Sequence, residues 1–206
     1  MQKDRSGRTA PIGYSSVTPG HVAAVVTCLE MRQRPDLGSA ARFPPDFELL
    51  SLGRPTLERY RALFRTVGQD WLWFSRLTMS DEELRSILDD PRVHVFALRR
   101  DADDVGILEL DFRQPNACEL AFFGLTSDVI GQGIGRILMH EAIERAWAQE
   151  IERFWVHTCT FDHPKAARFY RNAGFVPYAF EIEVQIDPRL TGAVRRTCAP
   201  HVPLLE

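Results

Sequence analysis

From residue 118 the chain reads CELAFFGLTSDVIGQGIGR, ending at Arg136. Cys118 to Leu125 is apolar apart from Glu119, as expected of a buried strand. Gly131, Gly133 and Gly135 follow, and beyond them Ile134, Ile137, Leu138, Ala142 and Trp147 share one face of a predicted helix through Gln149. A side-chain-free turn between a strand and a helix lets backbone N–H groups converge on an anion, and the helix dipole adds to the attraction. Such a turn suits a phosphate or pyrophosphate. A P-loop requires Lys and then Ser or Thr after its last glycine, where Arg136 and Ile137 stand; a dinucleotide fingerprint requires glycine at 136. Neither nucleotide motif matches.

Upstream, Val93 to Arg99, Val105 to Phe112 and Ala117 to Leu125 are separated by the polar turns Asp101 to Asp104 and Gln114 to Asn116, which predicts an antiparallel meander. Downstream, Arg153 to Thr160 reads as a strand, Pro164 to Ala173 as a helix and Phe175 to Ile186 as a last strand, giving a β-α-β-α unit. Nearer the N-terminus, Val22 to Met31 is β-branched enough for a strand, and the proline- and glycine-containing stretch from Arg32 to Pro55 reads as an ordered loop. Thr56 caps a helix to Thr66, and Ser80-Asp81-Glu82-Glu83 is a capping box opening another through Leu88. Between these helices Trp71, Trp73 and Phe74 form either a core cluster or a binding wall.

The chain has 206 residues, 45% hydrophobic and 26% charged, which is enough to bury one sizeable core. The reading is a loose arm over 1–20, a single domain over 21–190 and a C-terminal tail over 187–206. Within the domain, helices occupy about 55–90 and a core about 93–186. A formal net charge of -3 supplies no bulk attraction to nucleic acid or an anionic membrane, so neither is expected as a partner. The apolar runs fall well short of the ~20 residues a spanning helix needs. Met1 to Gly13 has no apolar signal core, so a cytoplasmic location is expected. Cys28, Cys118, Cys159 and Cys198 form no C-x-x-C pair and read as reduced core residues.

Residues 118–125, the glycine turn, the strand at 153–160 and Ala166-Ala167-Arg168-Phe169-Tyr170-Arg171-Asn172-Ala173-Gly174-Phe175 together resemble the GNAT superfamily of acyl-CoA-dependent N-acyltransferases. The resemblance covers about residues 90–185. It implies an α/β (α+β) fold with a mixed, mostly antiparallel sheet, a splay between two strands and flanking helices. It further implies acetyl-CoA as co-substrate, with Phe123, Gly124 and Leu125 facing the pantetheine arm and Gln132, Gly133, Gly135 and Arg136 cradling the pyrophosphate. His163, Ala166 and Phe169 complete the expected acyl-CoA site. Two positions depart from the family: Ile130 stands where Arg or Gln is common, and His163 where Asn is usual. Asp162 or His163 could equally cap the helix that Pro164 begins.

Acyl transfer from a thioester to an amine needs a proton acceptor, a stabilised oxyanion and a proton for the departing thiolate. By resemblance Tyr170 lies beside the thioester sulfur, and a phenol of pKa ~10 can protonate a thiolate of pKa ~8.5. Glu119, a carboxylate in an apolar run, is the expected base, with Glu109 and His157 as alternatives. Cys159 with His157 or His163 lacks a third ligand at recognisable spacing, so no metal is expected. The acceptor wall implied by the family comprises Tyr60, Trp71, Trp73, Phe74 and Arg76, with Glu109 or Asp111 from the sheet, suiting a small amine or amino acid. The resemblance leaves open a homodimer, a longer acyl donor, a protein amine as acceptor and a non-catalytic acyl-CoA sensor.

Overall fold

The computed structural model describes residues 9–36, 38 and 42–206; residues 1–8 of the expected arm and residues 37 and 39–41 of the expected loop lie outside that range. Seven strands form one sheet: β1 (His21–Met31), β2 (Phe47–Ser51), β3 (Val93–Arg100), β4 (Asp103–Asp111), β5 (Ala117–Leu125), β6 (Arg153–Cys159) and β7 (Val176–Ile186). Their spatial order is β2-β3-β4-β5-β6-β1-β7. Every neighbouring pair is antiparallel except β5 and β6. This is the mixed, mostly antiparallel sheet expected.

Among the described residues five α-helices flank it: α1 (Leu57–Gly68), α2 (Ser75–Thr78), α3 (Asp81–Leu88), α4 (Ile134–Trp147) and α5 (Ala166–Asn172). The local signals act as read. The Thr56 side chain accepts from the Arg59 N–H, and Ser80 and Glu83 complete a reciprocal capping box. Leu138, Met139, Ala142 and Ile143 of α4, with Tyr170 of α5, pack on one sheet face against Leu108, Leu110, Leu120 and Phe154. On the other face Tyr60, Leu63, Phe64 and Val67 of α1 and Leu84, Ile87 and Leu88 of α3 cover Val93, Val95, Ala97 and Ile107.

Two features depart from the sequence reading: the stretch read as a loop contains β2, whose pairing with β3 overrides the surrounding prolines, and the aromatic segment between α1 and α3 contains the short helix α2. β1, whose place in the sheet the sequence left open, inserts between β6 and β7, antiparallel to both. Its alternation feeds two layers, with Val22 and Ala24 on the helix α1 side of the sheet and Leu29 and Met31 beneath α4 and α5.

The segment after β7 has no helix or strand, yet it is packed. Cys198, Ala199 and Val202 form a third apolar cluster with Val22, Ala24, Leu72 and Phe161. Arg189, itself buried, holds this segment in place. Its guanidinium pairs with Asp187 at 2.7 Å and donates to the carbonyls of Val202 at 2.8 Å and Pro203 at 3.2 Å. Burial works against the Asp187 carboxylate, but the Arg189 hydrogen bonds and charge outweigh it and hold the pKa below the usual value. Its contribution to stability is therefore present above the unfolded pKa of ~3.9 and lost as pH falls through the lower folded value. Arg189→Met, which strands a buried carboxylate and frees the tail carbonyls, should cost about 3 kcal/mol in denaturant unfolding. Asp187→Asn in the same background should recover part of that loss.

Candidate active site

β5 and β6 pair in parallel over only three rungs, Ala117 with Arg153, Cys118 with Phe154 and Glu119 with Trp155. Beyond Glu119 each strand keeps its outer partner, β4 for β5 and β1 for β6, but not the other. The backbone of residues 120–125 therefore presents an open edge inside the sheet, and its polar groups require a partner. A register shift between β4 and β5, where Glu109 faces Phe122 and Leu110 faces Leu120, leaves Ala121 as an extra residue at the point of parting.

Side chains hold the strands apart on both faces. Phe123 stacks on Phe169 of α5 at 5.6 Å and meets Tyr170 edge-on at 6.3 Å. On the opposite face Trp73 packs on Phe64 and Phe122 and donates its indole N–H to Asp162 Oδ1 at 3.0 Å. This bond ties the segment between α1 and α2 to the turn after β6. Gly124 permits it, since a Cβ there would lie 2.6 Å from Val67 and 3.0 Å from the Trp73 ring. Asp162 also accepts from Thr158 Oγ1 at 2.7 Å and the Cys159 N–H at 2.9 Å, so it braces the turn and does not cap α5.

The glycine turn lies at the far end of the open edge. Gly131 and Gly133 adopt φ values of 92° and 85°, where a side chain would be strained, and Gly133 is the N-cap of α4 without any side-chain cap. The Arg136 N–H donates to the Gly133 carbonyl at 3.0 Å, and the N–H groups of Ile134 and Gly135 are left for an external anion. Gln132 turns back to donate to the Asp128 carbonyl at 2.7 Å, while Arg136 is exposed beside the turn. Gly135 faces Leu125 and Phe169, which closes the apolar wall below it. Open edge, uncapped helix and apolar wall fit the pantetheine arm and pyrophosphate of acyl-CoA.

Glu119 and His157 meet at the apex of the parting, with Oε1 and Nδ1 3.5 Å apart. Strand parity decides this: Val156 and Thr158 point inward, while Trp155 and His157 share the Glu119 face. Tyr170 is buried, and burial first and the Asp162 charge second push its phenol well above the ordinary value. Its neutral form is therefore strongly favoured. Burial also raises the Cys159 thiol to about 11, with the Asp162 charge adding to it.

The residues expected in the acceptor wall fall into two groups. Trp71 lies 5.2 Å ring to ring from His163 and 5.9 Å from His201, next to the Trp73–Asp162 tie. Tyr60 and Glu109 are instead fully buried beneath the surface. The Tyr60 hydroxyl donates to Glu109 Oε2, and Arg76 donates to Oε1 at 2.5 Å with its guanidinium over Phe122. This network anchors α1, α2 and β4 behind the site. His163 accepts from the Lys165 N–H at 3.1 Å within the turn before α5, whose N-cap Lys165 has no side-chain cap, and Ala166 packs against the main core. Sequence reasoning missed the bracing by Asp162, although an Asp just after a strand and before His-Pro is a turn signal. Arg76, expected in the acceptor wall, is instead buried as the partner of Glu109.

Among the described residues no group of three His, Cys, Asp or Glu side chains could hold a metal, and no helix is long and apolar enough to cross a membrane. No curated protein matches the chain. Solved structures of the same fold include a conserved protein from Staphylococcus epidermidis, at 12% identity and TM-score 0.51 over 82% of this chain and 64% of that one. A GCN5-related N-acetyltransferase from Sphaerobacter thermophilus matches at 17% identity and TM-score 0.56, over 82% of this chain and 52% of its own. An aminoglycoside acetyltransferase from an uncultured soil metagenomic sample matches at 18% and 0.51, over 63% and 88%. The chain thus spans less than two thirds of the length of the first two. The family model described as the acetyltransferase (GNAT) family matches residues 60–175, more than half of the sequence, including the parted strands β5 and β6 and the glycine turn. The chain belongs to the acetyltransferase (GNAT) family.

Proposed function

We propose that this chain transfers the acetyl group of acetyl-CoA to a primary amine of a small molecule or amino acid. One observation carries the reading: the opened β5 edge leads from an uncapped helix N-terminus to a point flanked by Glu119 with His157 on one face and Tyr170 on the other. The bound thioester supplies an activated acyl group and a leaving thiolate. The N–H groups of the Gly131 to Gly135 turn hold the pyrophosphate, and the open backbone of residues 120–125 hydrogen-bonds the pantetheine arm as a neighbouring strand would.

Glu119 accepts the proton of the incoming amine, directly or through water, and His157 beside it orients the carboxylate. Tyr170 donates its proton to the sulfur. None of the described residues hydrogen-bonds the Tyr170 hydroxyl, which leaves it available for that task. Trp71 and Trp73, on the same side of the sheet as Glu119, offer aromatic surface for a small cationic amine. Transfer is direct, since the one half-exposed thiol, Cys159, is held protonated by burial. Four free cysteines, three of them buried, accord with the cytoplasmic setting we infer.

The reading is tested by thiol release from acetyl-CoA across amino acids, polyamines, arylamines and aminoglycosides. Tyr170→Phe should lower kcat at least tenfold, with acetyl-CoA affinity changed by no more than about threefold. An unchanged kcat would remove Tyr170 from the mechanism. Glu119→Gln should lower kcat about 100-fold, and His157→Gln less than that. Because burial and Asp162 raise the phenol, Tyr170 stays protonated on the alkaline side; kcat should show no falling limb below about pH 10. Tight acetyl-CoA binding without turnover of any amine would move the reading to a protein acceptor or a sensor.

A further inference from the structure

β7 is an edge strand whose amphipathic pattern is reversed from that of a strand closing a monomer. Its polar residues Glu181, Glu183 and Gln185 are half-buried on the face they share with Val26, Ala24 and Val22, the face the C-terminal segment packs on. Its apolar residues Phe180, Ile182, Val184 and Ile186 face solvent and are 53–73% exposed. On neighbouring β1 they are continued by Val25, 46% exposed, with Ala23 and Thr27 between them. No charged side chain interrupts this stripe. In a sheet with one solvated face, alternation puts the apolar side inward; here that side is the solvated one.

We infer that this stripe is the contact between two copies of the chain, packed face to face through β7 and β1 about a two-fold axis. The stripe presents on the order of 500 Å² of contiguous apolar surface, the upper end of what a soluble monomer exposes. Two such faces bury on the order of 1,000 Å², the level at which a specific interface becomes stable. The geometry is self-complementary. With the axis at the level of residue 183, Phe180 of one copy meets Ile186 of the other and Ile182 meets Val184, so every contact occurs twice. Sheets packed in this way sit about 10 Å apart and leave Glu181 and Glu183 on the outer faces, clear of like-charge contact.

A second feature of the same chain points to the same occupant. Residues 9–19 are exposed throughout, with Ile12 and Tyr14 wholly so, and this arm leaves the body at His21, the rung partner of Ile186. In the two-fold arrangement the Ile186 end of one copy overlies the Phe180 end of the other. Each arm therefore starts beside its mate's apolar stripe, where Ile12 and Tyr14 find the cover their own copy lacks.

The stripe holds none of the residues assigned to catalysis or to acyl-CoA, so the outcome of this test and that of the catalytic reading are separable. Sedimentation velocity of the full chain should show twice the monomer mass at about 10 µM and dissociation on dilution. Ile182→Glu should weaken self-association at least 100-fold while leaving acetyl-CoA affinity unchanged, and its melting temperature should equal that of the wild type once the wild type is diluted to monomer. Val184→Lys repeats the test with the opposite charge. A wild-type chain still monomeric at about 100 µM, or a dimer that survives both substitutions in folded protein, would overturn the inference. Binding of the monomer to phosphatidylcholine vesicles through the same residues would overturn it in favour of a lipid surface.

Discussion

Three rungs of parallel pairing between β5 and β6, and no more, set the terms for everything else in this protein. Parting two strands inside a sheet leaves backbone N–H and C=O groups without partners, and a folded chain tolerates this only where a ligand or water takes them up. The opening must also be held against collapse. Phe123 on Phe169 wedges one face, and the Trp73–Asp162 hydrogen bond spans the other. These props come from α5 and from the segment after α1, so the helices on both sides are committed to the shape of the gap.

The same parting separates the chemistry into halves. Glu119 and His157 stand where the rungs end, on the face shared with α1 and α3, while Tyr170 approaches from the α4 and α5 side. In the reaction we propose, a reactant lying in the gap is reached by the Glu119 carboxylate from one face and the Tyr170 phenol from the other. Burial keeps the phenol neutral. The buried Tyr60–Glu109–Arg76 network stands behind this arrangement and fixes the strand and helices that carry it. A fully buried carboxylate tied by two donors serves position better than proton transfer.

What was legible in the sequence was local. The glycine turn could be read because its positive φ angles are a property of each residue. The Ser80 capping box closes within one helical turn, and the β3–β4–β5 meander has short connections. The placements missed from sequence were those made by distant partners. β2 lies in a proline-containing stretch and becomes a strand through its pairing with β3, more than forty residues on. Tyr60 and Glu109 looked like wall residues of an acceptor site, since a Tyr on a helix and a Glu in an apolar strand carry no local sign of bonding each other.

By itself the sequence determined the glycine turn, the order of helices and strands over residues 56–186 apart from the short helix α2, and the types of side chain at the parting, because each depends on neighbours within a few positions or on a motif of fixed spacing. Tertiary structure alone decided that β1 enters between β6 and β7, that Arg189 locks the C-terminal segment over β1, and that the apolar side of β7 faces outward. The physical reason is the same in all three. Pairing of β1 with β6 and β7 joins residues more than 120 positions apart, and which face of a strand meets the core is settled by what packs on it, not by the alternation that any amphipathic strand shares.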